Sequence, residues 1–454
     1  SNHNKLNKVM AQKPQKLPPE IWNNVFGYLS AAEKFNVRAT CKFFKTIVDH
    51  RSLWKDWTVV LDFKNGSYNK KFWDTLRHRH VSSVVVKSTK MKHWKQLALF
   101  LPILTTVVMD QSSQECFSCL TGFPNMRRLV LRNNSSDLLL DISRFPLFLP
   151  ERLTYLSMCG VMFPTTSVSK FISVLSQFKN IESLICHQVG IVGETMWMLH
   201  STLACLHKLK HLSLSGVHIL CTYRHSDPKP SLGPSVEADA LALSSLELID
   251  CMDPSLPAHG LRFLPGLKSL AVFYKHSHHD IPEMWSLSPC RLKTWLHDLP
   301  QLSTLIIVKG PPVNKYITSI PATVTSLTLC VAGLTSEDMA AIAVQVPNLH
   351  HLHVDPWPSH LGAHTADLPR LFPKLKSLKI RHEHVPERDF LQLCHLQDLK
   401  HLEILDNTPQ LSALTGKPLS CNLSSLQEQF FRLLERHSKL FFGCFCLLFC
   451  SPSR

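Results

Sequence analysis

Apolar residues recur down most of this chain in the phrase L-x-x-L-x-L, as at Leu209, Leu212, Leu214 and again at Leu349, Leu352, Val354. The middle apolar residues of successive copies are Val84, Val107, Leu129, Leu156, Leu184, Leu212, Leu246, Leu270, Leu305, Leu327, Leu352, Leu378 and Leu402. Their mean step is roughly 26 residues, which fits one strand plus one return segment. The period-2 alternation around each middle residue predicts a strand with one buried side. The stretch from Leu327 to Asn348 shows a whole copy. Its strand positions Leu327 and Leu329 lead to Leu334, then to a helix start at Ser336, Glu337, Asp338, then to Met339, Ile342 and Val346 at helical spacing before Pro347. Phe171, Val174, Leu175 and Phe178 do the same between Leu156 and Leu184.

A unit this small cannot bury its own apolar side, so copies must stack into a continuous core. The period predicts an α/β leucine-rich-repeat solenoid, a horseshoe of about 13 repeats over residues 59–410. Its long curved wall suits partner binding better than a catalytic pocket. Strand alternation assigns the residues flanking each middle leucine to that wall. They include Ser269, Ala271, Phe273, then Thr304, Ile306, Val308, then Ser326, Thr328, Cys330, and further on His351, His353, Asp355, Ser377, Lys379, Arg381, His401 and Glu403. Phe273, Ile306 and Val308 are apolar yet turned from the core, which marks them as candidate substrate contacts. His351, His353, Lys379 and Arg381 extend the candidate site, the last two as cations for an acidic segment of a protein substrate.

Composition narrows the function class. The chain has 454 residues, too many for one core. Its 15 cysteines are odd in number and scattered, and Ser1 to Lys16 is polar and basic rather than a signal peptide, so reduced thiols in cytosol or nucleus are expected. Cys116 and Cys119 form a lone C-x-x-C, and Cys251, Asn134 and Asn407 fill the turn position of their repeats. His276, His278, His279 and Asp280 crowd an inter-strand insertion without the fixed fourth ligand that zinc requires. No metal or cofactor is expected. The net charge of +15 favours an acidic partner, but no Lys/Arg run interleaved with aromatics argues for nucleic acid. There is no P-loop, G-x-G-x-x-G, H-E-x-x-H or G-x-S-x-G, so a non-catalytic role is expected.

The segment ahead of the repeats, residues 17–58, predicts three short helices after a flexible stretch 1–16. Leu17-Pro18-Pro19-Glu20-Ile21 starts the first, with Ile21, Val25, Tyr28 and Leu29 as an apolar face. Ser30 and Glu33 form a capping box that opens the second, which carries Phe35 and Val37. Cys41, Phe44, Ile47 and Val48 line the third, and Leu53-Trp54 closes the unit. So few residues leave apolar positions exposed for a partner to cover.

This order resembles the F-box, and followed by leucine-rich repeats the chain resembles the F-box and leucine-rich repeat protein family. The chain departs from its usual pattern in two places: Phe35 where a Leu is usual, and Thr40, Cys41, Phe44 where Val-Cys and a later Trp are usual. The resemblance implies a substrate receptor of a Skp-cullin-F-box ubiquitin ligase. The F-box would dock on a Skp adaptor bound to a cullin, and the repeats would hold substrate for ubiquitin transfer by a RING-recruited enzyme. It carries adaptor contact to Leu17, Pro18, Ile21, Val25, Phe26 and Leu29. The rival reading is a repeat scaffold without ligase attachment.

The C-terminal stretch 411–454 ends in a nearly apolar run, Leu440 to Cys450, too short to span a bilayer. A cap on the last repeat, a lipidated anchor at Cys444, Cys446 or Cys450, and an aberrant terminus all fit it. The opening Ser1 fits a fragment or processed form.

Overall fold

The computed structural model describes residues 17–132, 144–146, 148–163, 173–187, 190–191, 203, 205–215, 243–251, 261–262, 264–274, 290–356, 361–381, 385–405 and 440–443. The chain divides into two compact units, one formed by Ser1–Leu138 with Arg144–Leu153 and the other by Leu139–Ser143 with Thr154–Arg454.

The first unit opens with three helices, α1 (Pro19–Gly27), α2 (Ala31–Thr40) and α3 (Lys42–Val48). Pro18 and Pro19 begin α1, where a missing N–H costs nothing, and Glu20 lies in its first turn. The predicted capping box forms: the Glu33 N–H donates to Ser30 Oγ at 3.3 Å, and the Ser30 N–H donates to Glu33 Oε2 at 2.7 Å. The Ser30 hydroxyl also donates to Glu33 Oε2, at 2.7 Å, and this bond first, then the one from the Ser30 N–H, holds the Glu33 carboxyl below its ordinary range. Cys41, expected on the apolar side of the third helix, instead caps it by accepting the Phe44 N–H on its sulfur at 3.4 Å. Phe26, Ile47, Val48, Leu53 and Trp54 make the core, and Trp22, Leu29, Val37, Phe43, Phe44 and Trp57 pack around it.

Behind them come parallel strands β1 (Thr58–Leu61), β2 (Ser83–Val86), β3 (Thr106–Asp110) and β4 (Arg128–Arg132), with Val59, Val84, Val107 and Leu129 in register. Val59 is a copy ahead of the thirteen expected ones. The repeats thus begin at Thr58, with no linker after the helices. Returns are made by α4 (Lys70–His78), α5 (Met91–Phe100) and a 3-10 segment Gln114–Gly122. That last segment buries Cys116 and Cys119, and burial pushes both thiols up, away from the thiolate that metal binding or redox exchange needs.

The second unit continues with β5 (Tyr155–Cys159), β6 (Ser183–His187), β7 (His211–Ser215), β8 (Ser245–Cys251), β9 (Ser269–Tyr274), β10 (Thr304–Val308), β11 (Ser326–Cys330), β12 (His351–Val354), β13 (Ser377–Arg381) and β14 (His401–Leu405). All pair in parallel, and Leu156, Leu184, Leu212, Leu246, Leu270, Leu305, Leu327, Leu352, Leu378 and Leu402 form one register row, every member buried. This is the leucine-rich-repeat architecture that the period predicts. Two-residue strands Met162–Phe163 and Gly190–Ile191 pair beside this sheet.

Return segments follow the predicted logic. Leu175 and Phe178 are buried between β5 and β6, while Phe171 lies outside the described residues. After β11 the helix Ser336–Gln345 starts on a capping box between Thr335 and Asp338 and buries Met339 and Ile342, with Val346 buried just beyond its end. Leu440–Gly443, β15, pairs in parallel with β14, so the apolar C-terminal run begins as a further strand. Asn134, Asn407, the His276 to Asp280 cluster and the terminal cysteines lie outside the described residues, as does the side chain of Cys251. Among the described residues, no helix is long and apolar enough to cross a membrane.

Candidate partner-binding faces

Helix α1 is apolar on two sides. Trp22, Phe26 and Leu29 turn inward, and Trp22, Phe26 and Phe44 interlock with ring centroids 4.7 to 5.5 Å apart. Phe44, one of the departures from the usual pattern, fills its place by edge-on packing against Phe26. On the other side Leu17, Ile21, Val25 and Tyr28 stand at spacings of four, four and three, 44%, 45%, 44% and 82% exposed. Leu17, Pro18, Ile21 and Val25, four of the six residues expected to meet an adaptor, therefore lie on one exposed strip. The other two do not. Phe26, 3% exposed, belongs to the helical core, and Leu29 packs against that core. Tyr28, read on the same apolar face as Ile21, Val25 and Leu29, is the most exposed of the strip.

A second feature of this unit escaped the sequence reading. Arg79, at the end of α4, is buried with its guanidinium 4.2 Å from the Trp54 ring and 5.2 Å from the Phe35 ring. It donates to Asp49 Oδ1 at 2.8 Å, while Arg38 holds the same carboxylate through two bonds, at 2.7 and 3.0 Å. Burial alone would raise the Asp49 carboxyl, but the hydrogen bonds and charges of Arg38 and Arg79 outweigh it and hold the group below its ordinary range. Trp54 is fixed in turn by donating its indole N–H to the Val48 carbonyl at 2.6 Å. Residues of the helical segment and of the first repeat thus share one polar and aromatic joint, and Phe35, the other departure, is part of it.

In the second unit the open side of the sheet carries the remaining candidates. Phe273 pairs in register with Ile249 and Val308, and Val308 with Cys330, an apolar row across four strands with Ile306 beside it. Its exposure is smaller than expected. Ile306 and Phe273 are half-buried and Val308 is buried, because parallel neighbours about 4.8 Å apart shield one another. His351 is exposed as a residue, but partial burial of its ring, then the charges of His350 and Lys376, hold its imidazole below the ordinary value. His353 is half-buried, its Nε2 3.8 Å from Cys330 Sγ.

Lys379 sits in register with Glu403 and pairs with it at 3.0 Å, both side chains largely covered. A carboxylate already satisfies the ammonium expected to receive an acidic segment, which weakens that role. Arg381 ends β13, but its side chain lies outside the description.

A polar chain on the same side was also missed. His187 Nε2 lies 2.8 Å from Ser213 Oγ, which donates to Glu247 Oε2 at 2.6 Å. With its proton given to Glu247, the hydroxyl can only accept from the imidazole, so His187 carries its proton on Nε2. That direction is the reverse of base activation of a serine nucleophile, and the chain serves as a cross-strand tie. Its signal was the register that sets Ser213 beside Glu247. Among the described residues no group of three or more His, Cys, Asp or Glu could hold a metal ion.

Comparison with known proteins adds the following. The F-box-like family model matches residues 14–58. No curated protein matches the chain. Similar solved structures include an internalin of Listeria monocytogenes, with 14% identity, 69% of this chain and 79% of that chain covered, and a TM-score of 0.33. Another is the leucine-rich repeat-containing protein LegL7 from Legionella pneumophila, with 15% identity, 73% and 98% coverage, and a TM-score of 0.42.

Proposed function

We propose that this chain is the substrate-recognition subunit of a Skp-cullin-F-box type ubiquitin ligase. The observation that carries the reading is the exposed apolar strip Leu17, Ile21, Val25, Tyr28 on a segment that matches the F-box-like family. A helix whose inner side is already filled by Trp22, Phe26 and Leu29 keeps a second apolar side only at a cost to solubility, which a partner relieves. On this reading Leu17, Pro18, Ile21 and Val25 contact the Skp-family adaptor directly, while Phe26 and Leu29 shape the helix from within. Cullin and RING subunit join through the adaptor, and the chain works in cytosol or nucleus as a non-catalytic receptor.

Substrate is assigned to the open side of the second unit, at Phe273, Ile306 and Val308, with His351, His353, Lys379 and Arg381 further along. Affinity purification of the full chain should recover a Skp-family adaptor and a cullin. Recovery of neither, from cells that contain both, leaves the repeat scaffold without ligase attachment as the better reading. Substrate partners should accumulate under cullin inhibition. Their capture should fall at least about 100-fold when Phe273→Ala is combined with Ile306→Ser, which removes apolar contact worth roughly 1.5 to 3 kcal/mol per side chain. Normal capture by the folded double variant would move the substrate elsewhere.

A further inference from the structure

An open groove of about 620 Å³ lies in the first unit between helix α4 and the helical segment, with Arg38, Arg79, Lys70 and Lys71 as its cations and Asp49 and Asp74 as its carboxylates. Its charges do not balance. Asp49 serves both guanidiniums, at 2.7 Å from Arg38 and 2.8 Å from Arg79. Asp74 leans towards Arg77, 3.9 Å away. Among the described residues, none places a carboxylate within ion-pairing reach of the Lys70 or Lys71 ammonium, and both lysines are exposed. Four cations against two carboxylates leave two positive charges in a concave site, with the His78 imidazole in the same wall.

An excess of two calls for a dianion. A carboxylate supplies one negative charge, whereas a phosphate monoester carries about −1.5 to −2 at neutral pH and offers three strong acceptor oxygens. Adjacent ammonium and guanidinium groups can address several of those oxygens at once through charge-assisted bonds. We propose that this groove binds a phosphate monoester, with Lys70 and Lys71 as its principal partners and Arg38 as the contact from the helical segment. Phosphoserine or phosphothreonine in a protein segment and a free phosphorylated small molecule share this chemistry. A ligand held by α4 and α2 together engages both sides of the Arg79 joint and, by mass action, stabilises it. The inference does not depend on the adaptor reading.

The test uses the full chain at low salt, titrated calorimetrically with a phosphoserine peptide, its unphosphorylated twin and inorganic phosphate. Saturable binding is expected for the phosphopeptide, for inorganic phosphate, or for both, and none for the twin. It should weaken at least tenfold in Lys70→Glu with Lys71→Glu and stay within twofold of the parent in a control pair, Lys92→Glu with Lys95→Glu, which alters net charge equally on α5. Much tighter binding of the phosphopeptide than of inorganic phosphate assigns a protein source, and equal binding a free one. The proposal is overturned by absence of saturable binding to both probes. It is also overturned if the groove variant binds within twofold of the parent, or if the control pair loses as much.

Discussion

Replacing Asp49 by alanine is expected to destabilise the helical end of the first unit by about 3 to 5 kcal/mol, the usual cost of leaving a buried charge without its partner. The charge left behind is Arg79, whose side chain is 4% exposed and wedged among the rings of Trp54, Phe35 and Trp57. Arg38→Ala should cost under about 1 kcal/mol, because its side chain is a third exposed and the Asp49 and Arg79 pair survives it. Hydrogen exchange of the α1 to α3 amides reads both variants. Equal losses would show that burial of Arg79 is not what makes the joint strong. The same carboxylate sets a pH dependence. Its folded pKa lies below the unfolded value of about 3.9, so its contribution is complete well above that value and drains away as pH falls through the folded pKa. Asp49→Asn should remove that acid sensitivity while the parent keeps it.

The repeats were legible because two periods coincide in them. Side-chain alternation marks which residues of a strand turn inward, and the recurring step marks which strands are neighbours, so Leu246, Leu270 and Leu305 could be stacked before any contact was known. Val59 was missed for a local reason. Thr58-Val59-Val60-Leu61 follows directly on Leu53-Trp54 and has valines where the repeated phrase has leucines, so it reads as the tail of the helical segment. The joint was illegible in principle. Arg79 lies 30 residues from Asp49, and no local pattern tells a surface arginine from one that will be closed under three aromatic rings.

On the open side of the second unit, alternation gave the correct direction for Phe273, Ile306 and Val308 but not their exposure. Direction is a property of one strand, whereas exposure depends on what the neighbouring strands place alongside. Val85 and Val108 in the first unit show the same effect, buried on the side away from the leucine row by valines in register. Lys379 and Glu403 were each assigned to this side, yet their pairing needed the register of β13 against β14. A one-residue slip would have separated them.

Helix α1 shows where periodicity stops and supplies the sharpest test of the adaptor reading. Ile21, Val25, Tyr28 and Leu29 were read as its apolar face, but helical spacing cannot say which of two apolar sides packs inward when Trp22, Phe26 and Leu29 form an equally good set. The structure separates them, and the two sets should fail differently. Ile21→Asp with Val25→Asp places carboxylates on the outer strip, where the free protein tolerates them because both sites are about half exposed. In a complex the same change forfeits the burial of two aliphatic side chains and desolvates two charges, so adaptor affinity should fall at least about 100-fold. Leu17→Ala with Pro18→Ala should weaken it in the same direction, again with the repeats intact. Phe26→Ala acts from inside. It removes a ring stacked on Trp22 and met edge-on by Phe44, and should cost about 3 to 5 kcal/mol of stability, with adaptor binding lost only because the helices loosen. Adaptor affinity and amide protection measured on all three variants distinguish the cases. If the Ile21 and Val25 variant keeps its adaptor while remaining protected, the strip serves another partner and the ligase assignment falls with it.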